Sequence, residues 1–178
     1  MKTWFVLSAI GRDRPGLVAE LAQLIFDCDA NLEDSRMTIL GSDFAVILLG
    51  SHGAPETAER LAVGAKRLER DHGLTILIHP LEEGPRNEPT SENARVRRVR
   101  AAGQDKAGIV ASVCRTLAEH GVNIAELTSR TRPGPGGEPH YEMEILAELP
   151  QRADEEALRA ALNAQADQLV IDVSLETT

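Results

Sequence analysis

Aromatic side chains are scarce in this chain: one Trp, one Tyr and three Phe, or 3% of 178 residues. Its core must therefore be aliphatic, and a hydrophobic content of 42% is enough to form one and to exclude wholesale disorder. Cysteine is scarcer still. Cys28 and Cys114 stand alone, neither in a CxxC pair, which excludes a disulfide framework or a thiolate zinc site. They read as two small buried hydrophobes in a reducing compartment. No apolar run approaches the roughly 20 residues of a membrane span. The stretch from Met1 to Ile10 looks superficially like a signal peptide, but it breaks at once into Gly11-Arg12-Asp13-Arg14 with no A-x-A site after it. Positive charge is also in deficit, 19 Lys and Arg against 28 Asp and Glu, for a formal net charge of −9. Phosphate backbones repel such a chain, so direct nucleic-acid binding is disfavoured. These absences leave a soluble cytoplasmic protein with no metal, cofactor or membrane contact.

What is present is a repeat. The polar segment 81–93, with two prolines and a glycine, reads as a linker between a domain at 1–80 and another at 94–178. On its two sides Gly11-Arg12-Asp13-Arg14-Pro15-Gly16-Leu17-Val18 answers to Gly103-Gln104-Asp105-Lys106-Ala107-Gly108-Ile109-Val110. The offset (103 − 11, or 92) holds without a gap to Asn31-Leu32 and Asn123-Ile124. A glycine–acid–base–glycine loop and a later asparagine in one register point to internal duplication.

Both halves predict the same elements. In the first, Lys2 to Ile10 is a strand, and the Asp13 loop opens a helix whose apolar Leu17, Val18, Leu21, Leu24, Ile25 and Cys28 share one face. Strands follow over Asn31–Leu40 and Phe44–Leu49 around the turn Gly41-Ser42-Asp43. A second helix runs to Gly73, and a last strand covers Leu74–Ile78, closed by Pro80. The second half gives strands over Arg95–Ala102, Ile124–Arg130, Tyr141–Leu149 and Leu169–Leu175, with helices over Ile109–His120 and around Ala157–Leu162. The expected fold class is α+β: two ferredoxin-like βαββαβ units, each a four-stranded antiparallel sheet with two helices on one face. Arg95, Arg97, Arg98 and Arg100 crowd one strand of the second half. They form either a basic patch or cross-strand pairs with Glu142, Glu144 and Asp172, and the acidic balance of the chain favours pairing.

A βαββαβ unit with G-x-D-[RK]-[PA]-G-[ILV]-V after its first strand and Asn-[ILV] opening its second resembles the ACT domain, and here the resemblance occurs twice in register. A free-standing pair of this length is similar to the glycine cleavage system transcriptional repressor family. The resemblance implies a regulatory chain without room for a catalytic domain, acting through a protein partner such as a DNA-binding transcription factor. It also implies a ligand held between two ACT domains, so that Asn31 completes a site with Gly108 and Asn123 with Gly16, within one chain or between chains of a homo-oligomer.

Elementary chemistry supports a ligand there. A helix N-terminus offers unpaired N–H groups and partial positive charge, and a glycine allows close approach. A small amino acid such as glycine or serine would place its carboxylate on those N–H groups. Its ammonium would take an oxygen of Asp13, Asp105, Asn31 or Asn123. The candidate site is thus Asp13, Arg14, Pro15, Gly16 and Leu17 with Asn31 and Leu32, and Asp105, Lys106, Gly108 and Ile109 with Asn123 and Ile124. Plainer roles compete at each position. The aspartates serve as helix N-caps, the glycines as tight helix–sheet contacts, the asparagines as left-handed turn residues, and Arg14 and Lys106 as solvated cations. The segment Pro133–Pro139, without counterpart in the first half, either covers a site or docks a partner. None of the five histidines sits in an HExxH or GxSxG setting, which disfavours an enzyme. The remaining alternative is a ligand-free protein–protein interaction module built on paired sheets.

Overall fold

The computed structural model describes residues 2–82, 84, 94–134 and 136–177. The chain divides into two compact units, residues 1–85 and 86–178. Most of the segment 81–93 lies outside the described residues, so the linker expected there does too. The first unit runs β1 (Thr3–Arg12), α1 (Leu17–Asp27), β2 (Ala30–Leu40), β3 (Asp43–His52), α2 (Thr57–His72) and β4 (Thr75–Leu81). The second runs β5 (Arg95–Gln104), α3 (Ile109–Glu119), β6 (Asn123–Pro133), β7 (Pro139–Leu149), α4 (Glu155–Leu169) and β8 (Ile171–Thr177). The sheets are ordered β2-β3-β1-β4 and β6-β7-β5-β8, antiparallel throughout. Each unit is therefore the expected βαββαβ fold.

Periodicity explains the layers. Phe5, Leu7 and Ala9 of β1 alternate inward and meet Phe44, Val46 and Leu48 of β3. Leu17, Leu21, Leu24 and Ile25 of α1 close over them at helical spacing. Val18, expected on that face, is 41% exposed, one step around the helix from the buried stripe. Ile109, Val113 and Leu117 of α3 cover Val99, Met143 and Ile145 in the second unit in the same way.

Several boundaries differ from expectation. β4 continues through Pro80, which pairs with Phe5, to Leu81. β4 is an edge strand, where a proline's missing N–H costs the ladder nothing on the open side. β8 begins at Ile171 because Val170, at φ 57°, ends α4. Pro133 and Pro139 are the last rung of the β6–β7 hairpin, closed by Gly134 N–H donating to the Glu138 carbonyl at 2.7 Å.

One feature escaped the strand patterns. The register of β2 on β3 shifts between Leu32 and Asp34, and that of β6 on β7 between Ile124 and Glu126. An extra residue, Glu33 or Ala125, bulges out at the same place in both repeats. A bulge reverses the inward–outward alternation. Leu32 lies opposite Gly50, yet Met37 and Ile39, of opposite parity, lie opposite the core residues Val46 and Phe44.

Candidate functional site

Each loop between first strand and first helix ends in a glycine held in a left-handed conformation. Gly16 has φ 95° and ψ −13°, Gly108 φ 95° and ψ −5°. These are close to the values at the second central position of a type II turn, where glycine is favoured and proline favoured just before it. The Pro15-Gly16 pair fits that pattern directly. A Cβ built on Gly108 meets nothing within 4 Å, and one on Gly16 meets only the Arg14 and Glu20 side-chain ends at 3.8 Å. Backbone conformation, not tight helix–sheet contact, therefore requires these glycines. The contact role belongs to Gly11 and Gly103, where a Cβ would lie 2.6 Å from Leu74 and 2.7 Å from Ile171.

Gly16 and Gly108 are also the N-caps of α1 and α3, and neither helix receives a side-chain cap. The capping role considered for Asp13 and Asp105 is thus not what these residues do. Their backbone N–H groups instead tie each loop to the far hairpin, Asp13 to the Ser42 carbonyl at 3.0 Å and Asp105 to the Pro139 carbonyl at 3.1 Å. Each loop cation makes a contact within its own unit, Lys106 while exposed. Arg14 donates to Glu20 at 2.6 Å and to the Pro15 carbonyl at 3.3 Å. Lys106 donates to the Leu169 carbonyl at 3.2 Å. The Arg14 bond holds the Glu20 carboxyl below the usual range, and His72 lies 3.0 Å from that carboxylate. The side chains of Leu17 and Ile109 are 2% exposed, so these two can offer a ligand only their backbone.

Asn31 and Asn123 sit at the starts of β2 and β6, and neither has positive φ, so the left-handed turn role does not apply. Asn31 Nδ2 donates to Glu33 Oε1 at 3.0 Å, and Asn123 Nδ2 to Glu148 Oε2 at 2.9 Å. A carboxylate has no proton to donate, so each amide must turn its nitrogen toward it. That fixes the amide oxygen of Asn31 as the acceptor it presents. Glu33 also takes Lys2 at 2.8 Å and the Ser51 hydroxyl at 2.6 Å. Lys2 foremost, then Ser51 and Asn31, pull its carboxyl down to about 2. Neither Glu33 nor Glu148 was picked out from the sequence. The parity switch between Leu32 and Met37 was the available signal for the bulge that places Glu33, whereas Glu148 needed the strand register.

Loop and asparagine of one unit do not converge. Gly16 opens α1 and Asn31 follows its far end, and an 11-residue helix spans about 16 Å. The same holds for Gly108 and Asn123 about α3. The arginines of β5 are paired: Arg100 with Glu144 (3.0 Å) and Glu176 (3.2 Å), Arg98 with Glu144 (3.4 Å), and Arg95 and Arg97 with Glu155 of α4 (3.1 and 3.0 Å). Cross-strand pairing thus accounts for Arg98 and Arg100. Arg95 and Arg97 turn to the other face and hold the start of α4. Of the remaining expected acids, Glu142 faces Arg132 instead, at 3.7 Å. Among the described residues, no helix is long and apolar enough to cross a membrane.

The loop, the bulged second strand and the βαββαβ order, each present twice, define the class: this is a tandem ACT-domain protein. The ACT domain family matches residues 3–79 and again residues 97–167. The chain is 33% identical to the glycine cleavage system transcriptional repressor of Escherichia coli (strain K12), over 96% of this chain and 92% of that one. The repressor of Shigella flexneri gives the same figures. A crystal structure of an unknown protein from Galdieria sulphuraria superposes with a TM-score of 0.83 at 29% identity, covering 100% of this chain and 99% of the other. The chain belongs to the glycine cleavage system transcriptional repressor family. This kinship points to a non-catalytic regulator.

Proposed function

We propose that this chain is a cytoplasmic regulator that binds a small amino acid, glycine or serine first, and passes its occupancy to a protein partner such as a transcription factor. The observation that carries the reading is the repeated helix opening. In both units a glycine at φ 95° begins the helix with no side chain over its N–H groups. That is a ready seat for a carboxylate. An asparagine oriented as acceptor is the complementary seat for an ammonium. Since the two seats of one unit lie a helix length apart, a site using both takes its loop from one ACT domain and its asparagine from another. Ligand then favours one arrangement of ACT domains and changes the surface offered to the partner. The repressor names of the Escherichia coli and Shigella flexneri relatives support a regulatory output of this kind.

Thermal unfolding against a panel of single amino acids tests this. A ligand at about 100 times its Kd adds roughly 2.7 kcal/mol if only the folded state binds it. For a chain of this size the midpoint should rise by roughly 5–10 °C. The rise should vanish in Gly16→Val or Asn123→Ala. No shift with any amino acid at millimolar concentration would refute the sensor and leave an interaction module.

A further inference from the structure

Both asparagine seats carry a carboxylate, and each obtains it from a different place in the chain. Register makes the comparison position by position. Ser51 lies opposite Asn31 and Trp4, as Glu148 lies opposite Asn123 and Val96. The residue that bulges out of the second strand is Glu33 in the first unit and Ala125 in the second. The first seat thus takes its carboxylate from the bulge of β2 and has a serine on β3. The second has an alanine on the bulge of β6 and takes its carboxylate from β7. In each, the carboxylate accepts from the asparagine Nδ2, at 3.0 Å for Glu33 and 2.9 Å for Glu148. The fold requires a glutamate at neither position, since each repeat does without the other's. What the two seats share is an amide oxygen presented beside a negative charge, a pair of acceptors that suits an ammonium.

The first seat already holds one. Lys2 Nζ lies 2.8 Å from Glu33 Oε1 and 4.2 Å from the centroid of the Trp4 ring, between a carboxylate and the face of an indole. Lys2, Asn31 and Ser51 line one recess. In the second unit Ala94 and Val96, which carry no cation, stand at the places of Lys2 and Trp4. The Lys2 side chain is 55% exposed and that of Glu33 24%. An ion pair this open is weak, so the ammonium of a ligand can displace it.

We propose that Glu33 is a ligand-binding residue, the counter-ion of an amino acid's ammonium at the Asn31 seat, and that Lys2 is a tethered competitor which the ligand displaces. Glu148 has the counter-ion role at the Asn123 seat. Resting on the ammonium role proposed for the asparagines, this adds the charge that selects an amino acid over a hydroxy acid.

Trp4 is the single tryptophan of the chain, so its emission reports the first seat. Titration of the full chain with glycine or serine should change that emission as Lys2 leaves the ring. Glycolate, which keeps the carboxylate of glycine but has a hydroxyl in place of the ammonium, should not. The Asn31 side-chain amide signals in NMR give the affinity at this seat in every variant. Lys2→Met removes the competitor and should tighten glycine or serine binding about 2–5-fold. Adding Glu33→Gln, which keeps an oxygen for Asn31 Nδ2 and drops the charge, should weaken binding at least about 10-fold relative to Lys2→Met alone. An ion pair of structural role only would produce neither change. The proposal is overturned if Lys2→Met binds no tighter than the native chain, if the double variant binds as tightly as Lys2→Met, or if glycolate binds as tightly as glycine. Any of these results, with a rise in the unfolding midpoint still produced by an amino acid, leaves the sensor itself standing. No rise with any amino acid overturns both.

Discussion

Gly108→Ala isolates the cost of the loop conformation. At φ 95° an L-residue loses roughly 1–2 kcal/mol to contact between its Cβ and the following carbonyl. Reduced freedom of the unfolded chain returns roughly 0.4–1 kcal/mol. A built Cβ meets nothing within 4 Å, so no packing penalty is added. The expected net loss is about 0.5–1 kcal/mol, a fall of roughly 2–8 °C in the midpoint of the second unit. Gly108→Asn should recover most of it, because asparagine tolerates positive φ and the space is open. Gly103→Ala should act differently. Its Cβ would press on Ile171 at 2.7 Å, costing about 1–3 kcal/mol as overpacking, and Gly103→Asn should be worse still. Urea and thermal unfolding of the four variants, without ligand, measure this. If Gly108→Asn is no better than Gly108→Ala, or if the substitutions at Gly103 are harmless, the division of roles between the two glycines is wrong.

Two further outcomes follow from the hydrogen bonds. Asp154, whose carboxylate accepts from Glu156 and Ala157 N–H at 3.0 Å, is the true side-chain cap of α4, so Asp154→Ala should lower unfolding stability by about 0.5–2 kcal/mol. Asp105→Ala, which removes no cap, should lose less than about 0.5 kcal/mol in the same urea assay. Glu33 should titrate at about 2, read from its side-chain carboxyl resonance by NMR. Its pKa is depressed on folding, so its contribution is complete above the ordinary carboxylate value and is lost as pH falls toward 2. Glu33→Gln should therefore flatten the pH dependence of stability between about pH 5 and 2, and an Asn31 amide that remains fixed in Glu33→Ala, which removes the acceptor, would contradict the orienting role of Glu33.

The sequence by itself determined the fold. Strand and helix periods, the in-register repeat and the Gly73 stop are local signals, and among the described residues each expected strand and helix is found within a few residues of its expected place. It also determined which residues line the helix openings, because a positive-φ glycine beside a helix start is written in the chain as Pro15-Gly16. It did not determine what those residues do. Asp13 looked like a cap, but the left-handed Gly16 takes the cap position and α1 receives no side-chain cap. Gly11 and Gly16 looked alike, and only the approach of Leu74 separates close contact from conformation. Asn31 and Asn123 showed their position but not their orientation, which Glu33 and Glu148 impose from a bulge and a neighbouring strand. The partners of the β5 arginines depend on register, since one residue of slip exchanges the two faces of a strand. Local chemistry sets which elements form, whereas which side chains meet is set by pairings between segments tens of residues apart, and only the tertiary structure decides those.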